Sequence, residues 1–256
     1  MLFRSSKANL YDNLTVKNHQ KTANEKAFTA AYGLSYPNRV GGAVAILANG
    51  AFMDIFGGTY DNNNTNDITD PDTDEGQTCS YGGAFYDFGL MNVYGGVFSN
   101  NRAGRGGAFY CYRTIRIYNA QILNNSASTY GGAIYMPNST SAFLFLGGES
   151  GEADSWVVFR GNVAENNGGA IYARNKLEAQ DTQFIDNKAN AGSGGAVAGG
   201  NMVLSFTNTR FEGNTAAKYG GAIYYSGANG TEDGPELACD DTVFERNAAT
   251  SNGGAL

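Results

Sequence analysis

Residues 82–101 read Gly82-Gly-Ala-Phe-Tyr-Asp-Phe-Gly-Leu-Met-Asn-Val-Tyr-Gly-Gly-Val-Phe-Ser-Asn-Asn101, and this stretch holds every element of a unit that recurs along the chain. Gly-Gly-Ala followed by an apolar residue occurs eight times, beginning at Gly41, Gly82, Gly106, Gly131, Gly168, Gly194, Gly220 and Gly253. The shortest intervals are 24, 25, 26 and 26 residues, and the longer ones (41, 37 and 33) are the same unit with insertions. In phase with it runs a second motif, an apolar residue followed three positions later by Asn: Tyr60/Asn63, Phe98/Asn101, Ile122/Asn125, Phe159/Asn162, Phe184/Asn187, Phe211/Asn214 and Phe244/Asn247. Seven and five residues before that apolar column stand further pairs, such as Met91/Val93, Ile115/Ile117 and Leu204/Phe206. This is the period-2 alternation of a half-buried strand.

Each unit thus predicts three short strands: one from Gly-Gly-Ala, one before the Phe column and one ending on it. Such a unit is too short for a propeller blade and lacks the spacing of helical repeats. It fits one coil of a right-handed parallel β-helix, an all-β solenoid of about 25 residues per coil stacked at about 4.8 Å. Like columns then become ladders along the axis, with apolar residues inward and Asn as a polar ladder at a corner. The expected organisation is residues 1–40 as an irregular N-terminal segment or cap, with Leu14 to Asn18 as a candidate strand, and 41–256 as the β-helix, truncated at its C-terminal end. Insertions at 64–80, 137–142, 147–154 and 226–236 are expected at corners, where a coil tolerates extra residues.

Composition agrees with that architecture. The 36 glycines in 256 residues suit a fold with many tight turns, and four prolines exclude collagen-like or Pro-rich chains. The 17 Lys+Arg against 24 Asp+Glu give a net charge of −7, which argues against a nucleic-acid partner. No apolar run is long enough for a transmembrane segment. Three cysteines (Cys79, Cys111 and Cys239) outside any CxxC exclude a disulfide framework or structural zinc site, and Cys111 and Cys239 read as buried thiols. The N-terminus lacks the apolar core of a secretory signal.

Paired in this way, Gly-Gly-Ala-[Ile/Leu/Val] and Phe-x-x-Asn resemble the tandem repeats of the polymorphic outer-membrane protein family of chlamydial-type autotransporters, over about residues 41–256. The resemblance implies a surface-displayed β-helical passenger acting as an adhesin and exported through a C-terminal membrane barrel. The sequence carries no signal peptide, barrel or terminal aromatic export signal, so it is expected to be a fragment of a longer protein.

Chemistry is sparse. Carbohydrate-active β-helices need convergent carboxylates on adjacent coils. On the outer side of the Gly-Gly-Ala strand the sequence offers one, Asp87, where other coils have Ile46, Cys111, Met136, Ala173, Gly199 and Tyr225. Asp181 and Asp241 share a column with Asn119 and Asn208 at a turn, which reads as a turn ladder. His19 has no Ser or Cys partner in view. The loop Asp70-Pro-Asp72-Thr-Asp74 alternates carboxylates but lacks the Gly and Glu positions of an EF-hand, so a solvated insertion is expected rather than a calcium site. Asn-x-Ser/Thr acceptors stand at Asn13, Asn63, Asn124, Asn138 and Asn229.

No catalytic residue, metal ligand or cofactor is assigned. One column suggests binding: Tyr86, Tyr110, Tyr135, Tyr172 and Tyr224 follow the inward residue of Gly-Gly-Ala and are expected outward as a tyrosine ladder. Its two readings are mutual stacking over a flat sheet and a recognition stripe. The reading is a non-catalytic adhesive or structural segment at the cell surface or secreted, its partner a host-cell, matrix or glycan surface. The alternatives are a fragment of a polysaccharide lyase or hydrolase and a passive stalk displaying other domains.

Overall fold

A computed structural model of the chain describes residues 2–3, 7–10, 14–17, 44–46, 51–65, 80–138, 142–147, 155–174, 176–200, 203–226 and 236–256. Every regular element among them is a β-strand, and every pairing between strands is parallel. The chain winds as a right-handed parallel β-helix whose coils form three sheets.

The first sheet stacks the Gly-Gly-Ala strands, with Val44, Phe85, Phe109, Ile134, Ile171, Val197 and Ile223 in one Cα register. The second holds both strands expected around the Phe column. Its registers run Met53–Met91–Ile115–Leu144–Leu177–Leu204–Leu237 and Tyr60–Phe98–Ile122–Phe159–Phe184–Phe211–Phe244. In two coils these strands run together, as Lys176–Ile185 and Leu204–Glu212. A third, narrow sheet follows the Asn, in strands as short as Val163–Ala164. It falls outside the three expected strands, because a two-residue strand whose one inward residue is Ala carries no alternation. Before the first full motif, Leu2–Phe3, Lys7–Leu10 and Thr15–Lys17 pair in parallel with Val44–Ile46, Phe52–Ile55 and Thr59–Asp61. These three short strands therefore join the first two sheets.

The interior is a set of like-on-like stacks. Phe159, Phe184, Phe211 and Phe244 stack with ring centroids 4.8–5.1 Å apart and planes within 13°. Phe184 and Phe211 are fully buried. Each such side chain contributes about 1.5–3 kcal/mol by leaving water.

Corners are set by backbone chemistry. The first Gly of the motif adopts positive φ (Gly106, +64°), open to glycine at little cost. The second cannot carry a side chain at all, since a Cβ on Gly107 would stand 2.2 Å from the Gly132 carbonyl oxygen of the next coil. At the opposite corner, the residue before each ladder Asn is left-handed: Asn62, Asn100, Asn124, Gly161, Asp186, Gly213 and Arg246. The ladder Asn then satisfies itself. Asn125 Nδ2 donates to Asn162 Oδ1 (3.0 Å) and to the Phe98 carbonyl (2.9 Å). Its Oδ1 accepts from the backbone N–H and Nδ2 of Asn101 (2.9 and 3.0 Å). The same pattern repeats along the column to Asn247. Asn63 is a buried member of it, so its acceptor motif is closed to glycosylation.

Candidate functional site

The outward side of the Gly-Gly-Ala sheet carries the five tyrosines read from the sequence. Tyr86, Tyr110, Tyr135 and Tyr172 stack in order, with centroids 5.2, 5.3 and 5.5 Å apart. Ala198 interrupts the column before Tyr224, its Cα partner on the next coil. The rings are less open than an outer stripe suggests: Tyr110 and Tyr135 are each 8% exposed. Their cover comes partly from the residue before each Gly-Gly pair. Tyr81 packs on Tyr110 (4.5 Å), Tyr130 on Tyr172 (5.0 Å), and Tyr219 approaches Tyr224 (6.0 Å). The Arg105 guanidinium lies 5.4–5.9 Å from the rings of Tyr81, Tyr130 and Tyr135, within cation–π range.

Burial pushes the Tyr86 phenol up to about 12 and raises those of Tyr110, Tyr135 and Tyr172 as well, so all four are neutral hydrogen-bond donors near pH 7. Because the rings stack face to face, their faces are spent on one another. What this sheet presents outward is ring edges, hydroxyls and guanidinium groups.

The flanking column was legible in the sequence as Tyr81, Arg105, Tyr130 and Tyr219 but was not read as part of the site. A second ladder was missed too, four residues ahead of the Phe column. Phe56, Tyr94 and Tyr118 stack at 5.2 and 5.6 Å, and Phe56 and Tyr94 are 37% and 41% exposed. In the next coil that position is Gly147, and the Phe145 ring leans over it to meet Tyr118 at 5.5 Å.

The carboxylates do not converge. Asp87 is placed inward, correcting its assignment to the outer side: alternation from inward Phe85 through outward Tyr86 returns it to the core, where it is fully buried. Its Oδ1 accepts from the Gly89 N–H (2.8 Å), Oδ2 has no partner, and burial pushes the carboxyl up to about 7. Cys111, its Cα partner on the next coil, is also buried and its thiol is raised by burial first and then by Asp87. Cys239, in register with buried Phe206, is exposed, which corrects its reading as a buried thiol.

Asp181, Asn208 and Asp241 share a left-handed turn with φ of 45–47°, and Asn208 Nδ2 donates to Asp181 Oδ1 (2.6 Å). The Thr that follows each of them donates back to the carbonyl two residues earlier. Among the described residues no three His, Cys, Asp or Glu side chains are grouped to hold a metal ion, and no helix is long and apolar enough to cross a membrane. His19, Cys79, the acidic loop Asp70 to Asp74, and Asn13 and Asn229 lie outside the described residues.

Comparison with known proteins fits these columns. Four segments, 95–112, 119–137, 157–174 and 208–226, match the Chlamydia polymorphic membrane protein repeat. The chain carries repeats of the polymorphic membrane protein family. Each matched repeat contains one Phe-column residue, one ladder Asn, one Gly-Gly-Ala and one stripe tyrosine (Tyr110, Tyr135, Tyr172 or Tyr224). Among curated proteins, the chain is 34% identical over 113 residues to a probable autotransporter of Escherichia coli K12, YfaL. It is 30% identical over 135 residues to a probable outer membrane protein of Chlamydia pneumoniae, pmp20. These alignments cover 40% and 49% of the chain but only 9% and 8% of the relatives. No solved structure is significantly similar.

Proposed function

We propose that this chain is a non-catalytic segment of a surface-displayed passenger that adheres to a host-cell or matrix surface through the outward side of its Gly-Gly-Ala sheet. The observation that carries the reading is that four polymorphic membrane protein repeats each deliver a tyrosine to one outward column. The cell-surface setting is supported by relatives described as an autotransporter and an outer membrane protein. A flat, rigid sheet of tyrosine edges and arginines has the composition of interface hot spots, with large contact area at low entropy cost.

The test is adhesion of beads coated with the full chain to cultured epithelial cells, compared with albumin-coated beads. Excess binding is expected. It should fall when Tyr110, Tyr135 and Tyr172 are replaced together by Phe, which keeps the stack and removes the hydroxyls. Absence of excess binding would remove the adhesive reading, and undiminished binding by the triple variant would move adhesion to another face.

A further inference from the structure

Charge on the Gly-Gly-Ala sheet runs against that of the whole chain. Among the described residues, the column before the motif and the two positions past the strands Phe109–Cys111 and Ile171–Ala173 hold three charged residues, all arginines. Arg105 stands in the column before the motif, and Arg113 and Arg174 lie just past the strands Phe109–Cys111 and Ile171–Ala173. The one carboxylate of these strands, Asp87, points into the core. On a molecule with a net charge of −7 this is a local reversal of sign, a feature that selects for an anionic partner.

The arrangement of the cations narrows the partner. Arg113 and Arg174 belong to coils two apart and stand one column apart, two residues past Cys111 and one past its register partner Ala173, so their backbones are separated by about 10 Å along the axis. Arg174 is exposed and near enough to Tyr135 and Tyr172 for its charge to oppose the effect of burial on both phenols. Arg113 Nε is a buried donor without a hydrogen-bond partner. Between Tyr86 and Tyr172 stacking on neutral sugars is disfavoured, because the facing tyrosine rings are occupied by one another. The tyrosine stack from Tyr86 to Tyr172 spans only about 14 Å of axis. That is about half the edge, roughly 28 Å, of a square patch of the roughly 800 Å² per partner that a stable protein interface buries. A linear polyanion lying along the axis needs no such area, and one charge per disaccharide is on the scale of every second coil.

We propose that the Gly-Gly-Ala sheet binds an acidic glycan, its carboxylates or sulfates pairing with Arg113 and Arg174 and its intervening oxygens accepting from the Tyr135 and Tyr172 hydroxyls. The inference rests on the adhesive reading and names its partner class. Guanidinium groups suit it because they pair with planar or tetrahedral oxyanions through two parallel hydrogen bonds.

The test measures retention of the full chain on immobilised heparin (sulfated), polygalacturonate (carboxylated) and dextran (neutral). Retention is expected on one or both acidic polymers, falling with added salt, and none on dextran; which acidic polymer binds identifies the anionic group. Replacing Arg113 and Arg174 by Gln should weaken binding about tenfold or more, with an unchanged melting temperature. Arg174→Gln alone, at an exposed position, should give part of the loss should the double variant fold poorly. No retention on either acidic polymer, or equal retention by the folded variants, overturns the proposal. The bead assay separates the two readings: adhesion without acidic-glycan retention removes the glycan and points to a protein ligand, whereas loss of both removes the adhesive reading too.

Discussion

The Phe column inside the solenoid and the tyrosine column outside it stack in nearly the same way. Phe184 and Phe211 lie 4.8 Å apart with planes at 5°, and Tyr135 and Tyr172 lie 5.5 Å apart at 6°. A third ladder, Phe56–Tyr94–Tyr118, repeats the geometry at 5.2 and 5.6 Å on open surface. The coil repeat therefore imposes the stacking, and it does so wherever rings share a column. What differs is the water around them, from none in the interior, through a thin edge on the sheet, to more than a third of Phe56 and Tyr94 at the corner. Burial rather than stacking should then set what each ladder contributes to stability.

That comparison can be broken by substitution. Phe184→Ala or Phe211→Ala should cost about 3–5 kcal/mol, as for other buried aromatics, read as the shift of a urea unfolding midpoint. A loss near 1 kcal/mol would mean that the inner column is not packed as described. The sheet column should be intermediate. Tyr135→Ala removes two stacked neighbours at an 8% exposed site and should cost about 2–4 kcal/mol. The open ladder should matter least, with Tyr94→Ala within about 0.5 kcal/mol of the parent chain. Equal costs at Tyr135 and Tyr94 would show that stacking, not burial, carries the outer rings.

Asp87 sharpens the contrast from inside, as a polar group where its column otherwise holds Cys111, Met136 and Ala173. Its folded carboxyl titrates near 7, above its unfolded value of 3.8. The folded state therefore holds the proton more tightly. The stability it retains below about pH 4 is lost as pH rises toward and through 7, where burying the charge opposes folding. Asp87→Asn should match the parent chain at pH 4 and exceed it at pH 8, by up to about 4 kcal/mol. Equal stability at both pH values would place Asp87 in contact with water.

Much of this molecule is written in its columns. Gly-Gly-Ala, Phe-x-x-Asn and the alternating pairs between them specify strands, register and inward face, because each column repeats one physical demand: a left-handed corner, a buried ring or a self-satisfying amide. The left-handed Asn119, Asp181, Asn208 and Asp241 were legible in the same way. So is the inward side of Asp87, which follows from counting alternation from Phe85 although its contrast with the column points outward. Two features are not. The narrow third sheet gives too few residues for a period. The cover over Tyr110 and Tyr135 depends on how Tyr81, Arg105 and Tyr130 fold across the corner, and column identity carries no information about side-chain direction there.

Successive repeats stack in one register along one axis. Spin labels on an outward column test it directly, in a variant whose three native cysteines are replaced by Ala. Ser99, Arg160, Glu212 and Glu245 lie on one side of the Phe-column strand, with Ser99 and Arg160 two coils apart and Ser99 and Glu245 five. Distances measured by pulsed electron paramagnetic resonance should grow in proportion to coil number, to backbone separations of about 19 Å from Ser99 to Glu212 and about 24 Å from Ser99 to Glu245. Separations that fail to increase with coil number, or that bring Ser99 next to Glu245, would contradict the β-helix.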